Sequence, residues 1–217
     1  MDIKEILRNI LPDPAFDILK KGNRYLKKYS YLIFGRKYIP GETSKAKQRR
    51  IDEGFFEKYC QGKGIDIGCG FNKLTEDCAR WDFEHGDAQY LKGIDDCQFD
   101  YVYSSHTLEH VDNAAITLQN WWRILKPGGF LILYIPHRDL YEKKPTLPSR
   151  WNKFHRRFFL IDRDEPPDTA GIVPLIHKTL SGFEIVYARE CSAGHTISDP
   201  LIHSDGEVSI EVVAKKL

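Results

Sequence analysis

Six consecutive apolar residues, Phe130, Leu131, Ile132, Leu133, Tyr134 and Ile135, leave this chain few folds to choose from. A strand with one wet face alternates apolar with polar side chains, and this run does not alternate. It is also far shorter than the ~18 residues that cross a bilayer. The run therefore reads as a strand buried on both faces, which needs helices above and below it. The surrounding pattern supplies them. Asp112 to Leu125 predicts a helix, N-capped by Asp112, with Ile116, Leu118, Trp121, Trp122 and Leu125 facing inward, and Pro127-Gly128-Gly129 turns the chain into the apolar run. Gly171 to Leu180 predicts a second helix, and Asn72 to Ala79 a short one. Further strands are expected at Gly64–Ile67, Trp81–Glu84, Phe99–Ser104, Phe183–Arg189 and Val208–Ala214. Strands alternating with helices imply a mainly parallel α/β sheet covered on both faces.

The N-terminal part reads differently. Ile3, Ile6, Leu7, Ile10 and Leu11 form one helical stripe, stopped by Pro12 and Pro14, and Phe16 to Phe34 reads as a basic helix. Gly35 to Gly41 is a break, and Ser44 to Cys60 a helix with Phe55, Phe56 and Tyr59 on its buried side. Residues 1–50 carry 13 Lys and Arg against 5 Asp and Glu, whereas the remainder carries 19 against 26, so the overall charge of +1 conceals a basic arm before an acidic body. Such an arm is either a solvated face that docks on its own acidic domain or a contact for an anionic partner: a membrane surface, a phosphorylated carrier or a nucleic acid. The expected division is an arm at 1–50 and a domain at 51–217. Within the domain, residues 137–170 are too long and too aromatic for an ordinary connection. Five cysteines without a C-x-x-C pair argue against a disulfide framework or zinc knuckle and suit a reducing cytosol. The N-terminus does not read as a signal peptide, so a cytoplasmic location, peripheral at most on the inner membrane face, is expected.

Chemistry is concentrated after the first strand. Asp66-x-Gly68-x-Gly70 closes a strand with glycines that permit a tight turn and a close ligand approach. Gly64-Ile-Asp-Ile-Gly-Cys-Gly70 resembles the first motif of class I S-adenosylmethionine-dependent methyltransferases. Gly86-Asp87-Ala88, Phe99 to His110 and Ile124 to Leu133 resemble that family's later motifs, in its order, over roughly residues 60–136. The resemblance implies a Rossmann-like, mainly parallel seven-stranded sheet and S-adenosylmethionine as cofactor. It implies that Asp66, Gly68, Cys69 and Gly70 hold the methionine end, that Asp82 or Glu84 meets the ribose, with Asp82 preferred, that Asp87 and Ala88 meet the adenine, and that Ser104, Ser105 and His106 line the floor below the sulfonium.

His106-Thr-Leu-Glu109-His110 also matches H-x-x-E-H, a zinc-peptidase pattern. A metal reading needs one helix face and a further ligand elsewhere. The run begins straight after a strand and the other motifs leave no room for a peptidase fold, so no metal is expected, and Glu109 and His110 read as packing or salt-bridge residues. The insertion from Pro136 to Phe159 is similar to that of a bacterial methyltransferase subgroup linked to surface-glycan biosynthesis. That subgroup carries an acid where this chain has His137, which points to a different acceptor. The insertion is either a solvated loop packed on the domain or a lid over the acceptor. Its candidate residues are Tyr141, Arg150, Trp151 and Asn152 for the acceptor, Tyr141, Trp151 and Phe154 as an aromatic wall, and Arg150, Arg156 and Arg157 for a phosphate or carboxylate. His155 and His137 are candidate general bases for a hydroxyl.

The expected activity is O-methylation of a small molecule or surface-glycan precursor. Lipid or quinone, RNA and protein acceptors, a non-catalytic cofactor-binding module, and a nicotinamide oxidoreductase are the alternatives. No DNA partner is expected, because Ser104-Ser105-His106 stands where base-directed amino-methyltransferases carry an Asn/Asp-Pro-Pro-aromatic signature.

Overall fold

The computed structural model describes residues 41–70 and 72–217; the arm helices expected before Gly41 lie outside the described residues. Eight strands are present among them: β1 (Gly64–Ile67), β2 (Ala79–Trp81), β3 (Phe99–Ser105), β4 (Leu125–Pro136), β5 (Phe158–Leu160), β6 (Thr169–Gly171), β7 (Phe183–Cys191) and β8 (Ser209–Lys216). Six form one sheet in the order β2-β1-β3-β4-β8-β7, and β5 pairs with β6 in a separate parallel ribbon. From β2 to β4 the pairing is parallel, and β8 reverses it by running antiparallel to both β4 and β7.

Both faces of the sheet are covered. Leu131, Leu133 and Ile135 of β4 point to one side with Ile65, Ile67 and Val102. There they meet Leu118, Trp121 and Trp122 of α4 (Ala114–Arg123) and Ile172 and Ile176 of α5 (Ile172–Thr179). Ile132 and Tyr134 point the other way with Tyr101 and Tyr103, toward Ala46 and Phe55. This two-sided burial is what the unbroken apolar run required.

Several elements differ from the sequence reading, each for a local reason. The helix expected over Ser44–Cys60 is three short ones, α1 (Glu42–Lys45), α2 (Lys47–Asp52) and α3 (Phe55–Tyr59), with Gly54 at φ 64° breaking the path. The cap of α4 is Asn113, whose Oδ1 accepts the Ile116 N–H at 3.1 Å, rather than Asp112. No helix forms over Asn72–Ala79. The Leu74 N–H is bound instead by the Asp66 carboxylate at 2.8 Å. Among the described residues the main sheet has six strands where seven were expected. Residues 82–98 stay in turns, with Gly86, Leu91, Gly93 and Cys97 all at positive φ. β4 begins at Leu125, before the Pro127-Gly128-Gly129 kink, and a register shift against β3 absorbs that kink.

Residues 41–50, assigned by composition to the arm, pack into this unit. Arg50 is fully buried, with its guanidinium over the rings of Phe55, Tyr103 and Tyr134 at 4.8–5.1 Å and 2.8 Å from Glu211. Arg49 pairs with Glu207 and Glu211. The five cysteines are free. No helix among the described residues is long and apolar enough to cross a membrane.

Candidate functional site

The chain leaves β1, adds β2 on one side, and then places β3 on the other. That reversal puts the topological switch point beyond the carboxyl ends of β1 and β3, the place where open α/β sheets bind ligands in a crevice. The Asp66–Gly70 turn and the Ser104–His110 segment are its two walls.

The first wall is built around glycines. Gly68 sits at φ 78°, and a Cβ there would lie 1.9 Å from Thr107 Oγ1; Gly70 sits at φ 56°. Asp66 is buried and its Oδ1 has no hydrogen-bond partner among the described residues. Burial pushes its carboxyl up to about 7, against the pull of the Leu74 N–H and of Arg50. Asp82 lies against the turn, accepting the Gly70 N–H at 2.7 Å and the Phe83 N–H at 2.8 Å. Glu84, the other ribose candidate, pairs with Arg80 at 2.9 Å. Asp87 is exposed and accepts the Gln89 N–H at 2.8 Å, and the neighbouring Ala88 carbonyl accepts the Trp121 indole. Ser104 is buried and donates to the Ile67 carbonyl, tying β3 to β1, and Ser105 offers its carbonyl to Thr107. Burial pushes the Cys69 thiol up to about 11, which makes it unreactive. A tight glycine turn beside an orphaned buried carboxylate oxygen fits a ligand that carries an ammonium group and polar hydroxyls.

The second wall is a cluster of histidines around one acid. Glu109 is 0% exposed and neither carboxylate oxygen has a hydrogen-bond partner among the described residues. Three imidazole nitrogens face its Oε1: His106 Nδ1 at 3.8 Å, His110 Nε2 at 3.6 Å and His155 Nε2 at 3.8 Å. Burial pushes the Glu109 carboxyl up to about 8 and, helped by His155, draws the His110 imidazole down to about 4. His106 is held well below its usual value by burial and by His155. His155 comes from the insertion. It is 5% exposed and its Nδ1 lies 2.5 Å from Glu142 Oε1, while the Ser149 hydroxyl donates to that same carboxylate. The Tyr141 ring packs between His106 and His155. Sequence reasoning did not single out Glu142, and it read Glu109 as a packing or salt-bridge residue without locating the three imidazoles gathered on it. The H-x-x-E-H spacing was the available signal.

The remaining insertion residues divide. His137 is a cap: its Nδ1 accepts the Asp139 N–H at 3.2 Å at the start of a π-helical turn (Arg138–Glu142), and its Nε2 faces Glu190 at 3.7 Å. With the Nδ1 lone pair engaged and Nε2 turned toward a carboxylate, it offers no free base. Phe154 is 65% exposed and is not packed with Tyr141 and Trp151 around the histidines. Trp151 and Tyr141 both pack on His203. Arg157 spends its donors on the carbonyls of Leu108, Val111 and Asp112, and so is not an anion clamp. Arg150 donates to the Pro200 carbonyl, Arg156 pairs with exposed Asp112, and Asn152 accepts the Phe154 N–H. The cleft lined by Lys58, Gln61, Asp100 and Pro127–Phe130 lies at the opposite end of the strands.

The family model described as "Methyltransferase domain" matches residues 24–133, just over half of the chain. Curated proteins yield no match. Among solved structures, the chain is similar to the 4+2 cyclase SpnF (16% identity, 66% of this chain and 60% of that one, TM-score 0.44), so it spans less than two thirds of that protein. It is also similar to an S-adenosylmethionine-dependent methyltransferase of Thermotoga maritima, a possible histamine N-methyltransferase (20% identity, 88% and 95%, TM-score 0.47). A third is an S-adenosylmethionine-dependent methyltransferase of Methanosarcina mazei (17% identity, 75% and 97%, TM-score 0.46). With the family match added to a glycine turn at the switch point of a mainly parallel sheet, the chain belongs to the class I S-adenosylmethionine-dependent methyltransferases.

Proposed function

We propose that the enzyme transfers its methyl group to a hydroxyl of a small molecule or surface-glycan precursor, bound under the 137–170 insertion. One observation carries this reading: the insertion delivers His155, already oriented by Glu142, into the crevice beside His106 and Glu109. A hydroxyl is a weak nucleophile until its proton is drawn off, and this cluster gathers the polar groups able to assist.

When bound, S-adenosylmethionine supplies an electrophilic methyl on a sulfonium sulfur, open to in-line displacement by an acceptor oxygen. The chain contributes position. Asp66 Oδ1 and the Gly68–Gly70 turn would hold the amino-acid end, Asp82 the ribose, and Asp87 with Ala88 the base. Tyr141, between His106 and His155, supplies an aromatic side wall that excludes water, and positioning of this kind lowers the barrier most. Trp151, Asn152 and Arg150 sit further out, where an acceptor's remote parts would lie.

The test is transfer of a labelled methyl group to a panel of hydroxylated acceptors: sugar nucleotides, lipid-linked saccharides and small phenols. A methyl ether formed by the native enzyme, with kcat reduced at least tenfold in His155→Ala, is the expected result. Methylation confined to nitrogen or carbon acceptors would overturn the hydroxyl assignment. The basic arm is proposed to serve an anionic membrane surface or phosphorylated carrier, since residues 1–40 alone hold nine Lys and Arg against four acids.

A further inference from the structure

We propose that Glu109, His110 and His155 form a binding site for a divalent first-row transition cation. One ligand atom from each lies within 4.8 Å of the other two. Two ligands about 2.1 Å from one ion at the tetrahedral angle are about 3.4 Å apart. The 3.6 and 3.8 Å separations from Glu109 Oε1 to His110 Nε2 and His155 Nε2 need to close by only a few tenths of an ångström, and the third side, between the two imidazoles, by at most about 1.4 Å.

The hydrogen-bond arrangement points to a cation independently of that spacing. His110 Nδ1 faces the Phe154 carbonyl at 3.2 Å. A carbonyl only accepts, so the proton is on Nδ1 and the Nε2 lone pair faces Glu109. His155 gives its Nδ1 side to Glu142, and its Nε2 also faces Glu109. Two imidazole nitrogens, at least one of them presenting a lone pair, are thus aimed at a fully buried carboxylate whose oxygens have no hydrogen-bond partner among the described residues. A neutral Glu109 carboxyl would resolve only part of this, because its single O–H can pair with one imidazole nitrogen and leaves the others facing the same oxygen unmatched. Leaving such a group unpaired costs several kcal/mol, whereas one cation satisfies all three atoms. The outer partners match a metal site as well: an imidazole ligand held from behind by a carboxylate or carbonyl is the usual support. Glu142, steadied by Ser149, supports His155, and Phe154 supports His110. His106, its Nε2 paired with Ser209, stands at the edge with Nδ1 at 3.8 Å from the same oxygen.

Two imidazoles and one carboxylate suit zinc, iron, cobalt or manganese, rather than the all-oxygen shells of calcium and magnesium. The use of the site rests on the hydroxyl reading given above. The acceptor oxygen joins the cation's coordination shell, its pKa falls, and its proton passes to solvent. The C–O bond then forms as the C–S bond breaks, releasing S-adenosylhomocysteine. His155 acts in this scheme as a ligand rather than as the proton acceptor.

The test uses full-length protein stripped with a chelator. Calorimetric titration with Zn2+ and Co2+ is expected to give one equivalent bound, weakened at least tenfold in His110→Ala and His155→Ala, and about 10-fold or more in Glu142→Gln. S-adenosylhomocysteine is titrated in parallel as a check on the fold and on the cofactor site. Anomalous diffraction from zinc-soaked native crystals is expected to show a peak about 2.0–2.2 Å from ligand atoms of Glu109, His110 and His155. Retained S-adenosylhomocysteine binding with no metal uptake, or a zinc peak elsewhere only, overturns the cation site and leaves the methyltransferase assignment standing. Metal uptake in a protein that cannot bind S-adenosylhomocysteine would instead count against the methyl-transfer reading.

Discussion

Gly68 shows how a single residue joins fold to site. Its φ of 78° already disfavours any side chain, and the Thr107 hydroxyl fills the space that a Cβ would take. Gly68→Ala must strain the backbone by about 1–2 kcal/mol and also push Thr107 away, with the second wall of the crevice attached to it. The expected outcome is a fall in S-adenosylhomocysteine affinity of tenfold or more, together with a lower melting temperature, measured by calorimetry and thermal unfolding. Affinity equal to that of the native protein would detach this turn from the cofactor. The turn was legible in the sequence because its requirement is local: two glycines and an acid within five residues of a strand end. The Glu109–His155 cluster was not, because its partners are 46 residues apart and nothing in either segment announces the other. The preference for Asp82 over Glu84 came from resemblance, not from any local signal in the residues. What could not be read there is that Asp82 turns toward Gly70 while Glu84, two residues on, turns toward Arg80.

Among the elements, buried strands were the easiest to read and turns the hardest. The apolar run of β4 could be placed from composition alone, since only a doubly covered strand tolerates it. The turns of residues 82–98 were missed because positive-φ residues such as Leu91 and Cys97 carry no sequence signal, and the helix before β1 was read as unbroken because one glycine, Gly54, does not by itself announce a left-handed break. The insertion is the element whose order could not be foreseen. β5 bridges to His137 at the end of β4, and its base is fixed by the Arg157 guanidinium on three carbonyls of the segment that follows His106. Arg157→Ala strands those carbonyls and is expected to destabilise the domain by roughly 2–3 kcal/mol. Faster amide exchange should be concentrated in residues 149–160 and 106–112, read by mass spectrometry. Arg157→Lys is not expected to restore protection, because one ammonium cannot reproduce the planar fork. Uniform exchange across the sheet in Arg157→Ala would show that the contact is not specific to the insertion.

At the scale of the whole molecule, charge is divided between an internal network and an arm. Glu211, at the centre of β8, is buried among Arg49, Arg50 and Arg189, with Tyr187 beside it and Glu207 and Glu53 on the same arginines. Burial alone would raise its pKa, but Arg50, Arg49 and Arg189 outweigh burial and hold it at about 2. A carboxylate depressed in the folded state stabilises fully above its unfolded value, near 4.5, and loses that contribution as pH falls toward 2. The contribution is roughly 3 kcal/mol, so urea unfolding of the native protein should weaken steeply between pH 4.5 and 2. Glu211→Gln should be less stable at pH 7, since Arg49, Arg50 and Arg189 each lose a carboxylate contact and buried Arg50 is left without one among the described residues, and should show a flatter acid limb; parallel acid limbs would assign the loss to other carboxylates. Arg49 and Arg50 are thus spent on folding, so the arm proposed for an anionic partner is reduced to the nine Lys and Arg before Gly41. Replacing Lys20, Lys21, Lys27 and Lys28 by Gln in the full chain removes four of the nine positive charges there. At about 1 kcal/mol for each charge at an anionic surface, co-sedimentation with phosphatidylserine vesicles should fall by two orders of magnitude or more. Native binding should weaken with added salt, and S-adenosylhomocysteine affinity should stay unchanged. If the native chain ignores such vesicles at low salt, the arm has no membrane role, and its charge serves a soluble anionic partner or its own acidic body.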